Sequence, residues 1–125
     1  FGAILFASVV KAGFASTADD YAEKRISLDE SFDINNPSTF LFTVRGDSMV
    51  DAGIFEDDIA VIKREKYAKN GDIVLGFIDG GYTLKYYRNN GKEVWLEPAN
   101  KNYPVMKPKE ILEIFGVLKG VVRNF

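Results

Sequence analysis

Between Gly71 and Glu97 the chain reads as two hairpins in succession, and this run constrains the fold more than any other stretch. Ile73-Val74-Leu75-Gly76-Phe77-Ile78 is continuously apolar, the mark of a strand buried on both faces. Asp79-Gly80-Gly81 follows as a hairpin turn, because glycine accepts the positive φ that tight turns demand. Tyr82 to Arg88 returns as the partner strand, and Asn89-Asn90-Gly91 closes a second hairpin into Glu93 to Glu97.

The flanking segments extend the same pattern. Phe40 to Arg45 is rich in Phe and Val, residues that suit a pleated surface. Asp51 to Asp58 reads as a loop, and Ile59-Ala60-Val61-Ile62 as a short buried strand. Ile111 to Val122 is apolar but punctured by Gly116 and Gly120, which predicts a bent or bulged final strand. Ile26 and Leu28 alternate with Ser27 and Asp29, so Ala18 to Asp29 is expected to turn and then run extended. Asn35-Asn36-Pro37-Ser38 marks a turn, and Pro98 to Pro108 a loop. Six to eight short strands joined by glycine turns predict a mainly β domain, built as small twisted sheets, a sandwich or a partly closed barrel. The chain shows neither a long amphipathic helix nor a helix-turn-helix pattern.

Phe1 stands where Met would open a whole protein, so further residues are expected upstream. The first ten residues, FGAILFASVV, are apolar and uncharged. A bilayer span needs about 20 such residues, and Lys11 interrupts the small-residue stretch that a signal-peptide cleavage point would want. The better reading is an apolar arm, followed by a linker of small residues from Lys11 to Tyr21. The expected organisation is an arm over residues 1–17 and a β domain over residues 18–125.

Composition excludes several kinds of chemistry. The chain holds no histidine and no cysteine. That removes the Ser-His-Asp triad, the Cys-His pair and the usual His/Cys zinc site, as well as any disulfide framework that would argue for secretion. A net charge of −2 leaves no basic face for phosphates, so direct DNA binding is not expected of this chain. A cytoplasmic location, no membrane association, no cofactor and no metal are the corresponding expectations. Asp57-Asp58 is the nearest acidic pair to a carboxylate metal site, but it lacks the spaced oxygen ligands of a calcium loop and reads as solvated turn residues.

What remains for catalysis is a serine. The strand-like Phe40-Leu41-Phe42-Thr43-Val44-Arg45 stops at Gly46 and presents Asp47-Ser48-Met49. Gly-Asp-Ser is also ordinary turn chemistry, and Arg45-Gly46-Asp47 spells an adhesion tripeptide that arises by chance. In the functional alternative Gly46 permits a sharp turn, Ser48 Oγ is exposed, and backbone N–H groups around it hold an oxyanion. A serine hydroxyl is barely ionised at neutral pH and needs a base, which here must be Lys, Asp, Glu or Tyr. Lysine is the best able to help, but only when uncharged, and its ordinary pKa is about 10.4. Burial lowers that value, so the lysine to look for stands in an apolar strand. Lys85 stands in Tyr82-Thr83-Leu84-Lys85-Tyr86-Tyr87. On pattern alone the solvent-facing reading, with the lysine stem lying over the tyrosines, is the favoured one. Lys63, Lys66 and Lys69 fall in a polar stretch and are expected to be solvated.

Taken together these segments resemble the LexA/UmuD family of self-cleaving serine peptidases. Gly46-Asp47-Ser48-Met49, Asp51-Ala52-Gly53-Ile54, Gly71-Asp72-Ile73-Val74 and Tyr82-Thr83-Leu84-Lys85 recur in the family's order, and Ser48 precedes Lys85 by 37 residues. Leu5 to Ser16, Asp20 to Ile26 and the ending Phe115-Gly116-Val117 look closest to the UmuD branch, and the resemblance covers essentially the whole chain. It implies Ser48 as nucleophile, Lys85 as general base, Ala12–Gly13 as the scissile bond, and Gly46, Asp47 and Met49 as the turn around the oxyanion. It further implies a homodimer, cleavage stimulated by a RecA–single-stranded-DNA filament, and a trimmed dimer serving a Y-family translesion polymerase. The alternative within the same resemblance is the C-terminal self-cleaving dimerisation domain of a LexA-like or phage-type repressor. The apolar strand around Ile114 to Val122 is the expected dimer contact.

Overall fold

A computed structural model describes residues 3–6, 23–109 and 112–125, in two compact units, Phe1–Asn35 and Asn36–Phe125. Ala12–Gly13 and the small-residue linker lie outside the described residues.

In the first unit, β1 (Ala3–Phe6) pairs antiparallel with β2 (Glu23–Ile26), Ala3 opposite Ile26 and Phe6 opposite Glu23. The extended segment expected to run through Leu28 ends at Ile26. A single helical turn, α1 (Leu28–Ser31), follows, and Ser27 Oγ accepts the Glu30 N–H at its start. Ser27-Leu28-Asp29-Glu30 is the local pattern of a helix N-terminus, and it prevails over the short alternation of Ile26 and Leu28. Leu28 is accordingly exposed rather than in a strand's apolar row.

The second unit is a six-stranded antiparallel sheet. Its strands are β3 (Thr39–Thr43), β4 (Ile59–Arg64), β5 (Ile73–Ile78), β6 (Gly81–Asn89), β7 (Val94–Glu97) and β8 (Leu112–Val122), in the order β3-β4-β8-β5-β6-β7. The sheet is open, since its order ends at β3 on one side and β7 on the other, so the barrel option is not realised. On the β7 side, Leu96 and Met106 exchange two backbone hydrogen bonds (2.9 and 2.8 Å) and extend the pairing by one bridge.

The hairpin expectations hold closely. β5 has the predicted limits, and the Asp79-Gly80 turn into β6 has positive φ at both residues (47° and 91°), the type I′ geometry of tight hairpins. β8 carries the predicted irregularities. Its pairing slips by one residue against β5, leaving Phe115 extra, and by one against β4, leaving Lys119 extra. Each bulge adjoins one of the two glycines. Gly116 is required by space, because a Cβ there would be driven into the Lys63 carbonyl and come within 2.6 Å of Ile62 Cγ2.

Three apolar clusters form the core. Val74, Ile78, Leu96 and Val117 form one, and Ala60, Ile62 and Leu75 another. The third, Met49, Ile54 and Ala99, lies under the Ser48 turn. Among the described residues no helix is long and apolar enough to cross a membrane.

Candidate active site

β3 delivers the chain to a turn that begins at Gly46, whose φ of +84° is left-handed and strained for any side chain. Glu56 accepts the Gly46 N–H at 3.2 Å. Met49, next to Ser48, is 3% exposed and plugs the third cluster; its sulfur accepts the Ala99 N–H at 3.2 Å. A 3-10 turn (Val50–Ala52) then leads to Gly53. Ser48 is thereby held between a glycine that reverses the chain and a methionine that anchors it, and stays half-buried.

Ser48 lines a cleft of about 260 Å³ whose walls include Phe42, Gly46, Ala60, Leu75, Thr83 and Lys85. The fold therefore brings the sequence-predicted nucleophile and base to one cavity, from a turn after β3 and from the middle of β6. Lys85 is 7% exposed. Its ammonium donates to Thr83 Oγ1, two residues earlier on the same strand. Among the described residues no carboxylate pairs with it. Burial alone pushes its pKa below the ordinary lysine value, since an apolar wall disfavours the charged form. The solvent-facing alternative for Lys85 is excluded.

Of the proposed oxyanion-turn residues, Gly46 has its own N–H committed to Glu56. The N–H groups of Ser48 and Met49 make no hydrogen bond among the described residues, so two adjacent backbone donors are free beside Ser48 Oγ.

A profile of the Peptidase S24-like family matches residues 5–119. The chain belongs to that family. It is 35% identical over 117 residues to the LexA repressor of Clostridium novyi (strain NT), covering 93% of this chain and 57% of that protein. It is 37% identical over 116 residues to the LexA repressor of Thermotoga petrophila (92% of this chain, 59% of that one). It is 38% identical over 115 residues to the LexA repressor of Acetivibrio thermocellus (92% and 54%). The S24-like chain thus spans a little over half the length of these relatives.

The sequence reading of Asp57-Asp58 needs correction. Asp57 is exposed and pairs with Arg45, as a turn residue would. Asp58 is 1% exposed, with both oxygens held by Arg123 (2.6 Å from Nε and 2.7 Å from Nη2) and one also accepting the Phe55 N–H at 2.8 Å. Arg123 also donates to the Gly53 carbonyl (2.9 Å), and its guanidinium lies 4.7 Å from the Phe55 ring centre. Asp58 thus ties the end of β8 to the loop after the Ser48 turn. Adjacent acidic residues in a loop give no sign of this, because the partner is 65 residues away. Among the described residues no three His, Cys, Asp or Glu side chains gather as a metal site would need. Lys63, expected to be solvated, belongs to β4 and is half-buried. Asn100 and Tyr103, which contact Asp47, were missed as well. Their only signal was a polar loop between β7 and β8.

Proposed function

We propose that this chain is the self-cleaving domain of a LexA-like repressor, with Ser48 as nucleophile and Lys85 as general base. The observation that carries the reading is a buried lysine, with no acidic partner among the described residues, in the same cleft as a half-buried turn serine. Neutral Lys85 accepts the Ser48 hydroxyl proton as Oγ attacks the Ala12 carbonyl carbon. The oxyanion is held by the free N–H groups of Ser48 and Met49, where fixed dipoles act more strongly than water does. Collapse breaks the Ala12–Gly13 bond, Lys85 returns its proton to the Gly13 amine, and Ala12 is left as an ester on Ser48. Water, activated by Lys85, then hydrolyses that ester and restores the serine.

The substrate belongs to the same protein, so the effective concentration of the bond is high and control rests on withholding the reactive pose. In this reading a RecA–single-stranded-DNA filament stabilises that pose, a shift of population rather than added chemistry, and the domain works as a homodimer. The relatives reported above are repressors, which favours this reading over a polymerase accessory factor with a Y-family partner. DNA contact is assigned to the part of the relatives beyond the matched half.

Incubation of the purified chain at about pH 10, where more Lys85 is neutral, should release residues 1–12, seen by intact-mass spectrometry. Ser48→Ala should abolish the release, and a Ser48→Ala chain still cut at Ala12–Gly13 would refute the mechanism.

A further inference from the structure

One loop, residues 98–103 after β7, grips the Ser48 turn on both sides. Asn100 Nδ2 donates to the Asp47 carbonyl at 2.9 Å, and the Tyr103 hydroxyl donates to the Asp47 carboxylate. Beyond Ser48, the Ala99 N–H reaches Met49 sulfur at 3.2 Å and the Asp51 N–H donates to the Ala99 carbonyl at 2.8 Å. The loop is itself braced, since Asn100 Oδ1 accepts the Asn102 N–H (2.9 Å) and the Asn100 carbonyl accepts the Tyr103 N–H (3.1 Å). It hangs from β7, which pairs with β6, the strand that carries Lys85.

The consequence is geometric. Ser48 enters the cleft from a turn hinged at a left-handed glycine, while Lys85 is fixed in the sheet. Side chains of the loop are one link that sets one against the other. We propose that Asn100 and Tyr103 are positioning residues for self-cleavage, fixing Asp47 and through it the aim of Ser48 Oγ across the cleft. This rests on the Ser48–Lys85 reading. Neither residue touches the reacting atoms. The Asp47 carboxylate raises the Tyr103 pKa above the ordinary phenol value, which favours the protonated hydroxyl that donates to it.

Two substitutions remove the loop's side-chain contacts to Asp47. Asn100→Asp keeps the oxygen that accepts the Asn102 N–H, loses the donor to Asp47 and turns an anionic oxygen towards the Asp47 carbonyl. Tyr103→Phe removes one hydroxyl from a side chain that is 43% exposed. The full chain and its variants are incubated at alkaline pH and the first-order release of residues 1–12 is measured. In parallel, Ser48 is labelled with a small fluorophosphonate, which forms an Oγ–P bond as fluoride leaves and does not involve the arm. Asn100→Asp should slow release about 10- to 100-fold and Tyr103→Phe about 3- to 10-fold, on the scale of small misplacements of a reacting group. Labelling should fall by the same factors while the melting temperature holds. Asp47→Asn, which retains both acceptors, should be slowed less than Asp47→Ala. Asp47→Ala should match Tyr103→Phe, and the two combined should be no slower than either. Parent-like release in both loop variants overturns the proposal, as does slower release with unchanged labelling, which places the defect in docking of the arm. If Asn100→Asp fails to fold, Tyr103→Phe and Asp47→Ala decide. An intact parent chain, or a Ser48→Ala chain that still cleaves, defeats the underlying reading and this one with it. Failure of the positioning role alone leaves the parent cleaving.

Discussion

Asp58 and Lys85 are the two charged side chains that lie buried among the described residues, and the fold treats them in opposite ways. Asp58 meets a two-pronged guanidinium and a backbone N–H. Lys85 meets apolar walls and one threonine hydroxyl. Both pKa values fall, with contrary meaning. Arg123 lowers the Asp58 pKa by hydrogen bonding, which keeps the carboxylate charged. Burial lowers the Lys85 pKa, which brings the amine closer to losing its charge. A paired buried charge holds two segments together. An unpaired one costs stability, and such groups cluster at functional sites.

The largest test of that contrast is Lys85→Arg. Arginine retains a charge that cannot be shed at accessible pH, so self-cleavage should fall by more than about 10³-fold, a typical scale for general base catalysis being 10²–10⁴-fold. Release of residues 1–12 at the parent rate would show that the buried amine has no part in the reaction.

Next is Asp58→Ala, which leaves Arg123 and the Phe55 N–H without their acceptor. Breaking a buried pair costs about 3–5 kcal/mol, and the partial exposure of Arg123 reduces the expected loss to about 2 kcal/mol, readable from urea unfolding at neutral pH. A depressed carboxylate pKa contributes stability above the unfolded value, near 3.9, and loses it as pH falls through the folded value. The gap between parent and variant should therefore close in acid.

Lys85→Met probes the other side. A depressed lysine pKa means that the unfolded chain binds more protons between the folded and ordinary values, so parent stability rises with pH across that window. The methionine variant should melt above the parent at neutral pH, and its advantage should shrink towards alkaline pH. A variant that melts lower at neutral pH would mean that the ammonium has a favourable partner in the folded state. The smallest effect belongs to Arg45→Ala. Arg45 and Asp57 form a pair with side chains 71% and 76% exposed, and its loss should change unfolding free energy by less than about 1 kcal/mol. A larger loss would blur the distinction between buried and surface charges.

Much of the sheet was legible from local signals. β5, β6 and β7 follow from apolar runs closed by glycine turns, and the bulges in β8 from two glycines in an apolar strand. Leu28 was misread because a two-residue alternation is weaker than a serine followed three residues later by glutamate. The strand order was not legible, since β8 enters between β4 and β5 and no local pattern records a neighbour so distant in the chain.

The candidate site divides in the same way. By itself the sequence determined that any base must be something other than histidine, that Lys85 sits among strand residues, and that a strand, which ends at Thr43 rather than the expected Arg45, precedes the Gly46 turn carrying Ser48. These are properties of residue type and spacing. Only the tertiary structure decided that Ser48 and Lys85 share a cleft, that Asp58 is an anchor rather than a solvated turn residue, and that Asn100 and Tyr103 hold the serine's turn. Burial and hydrogen-bond partnership are set by groups dozens of residues apart, and a charge acquires its meaning from what surrounds it.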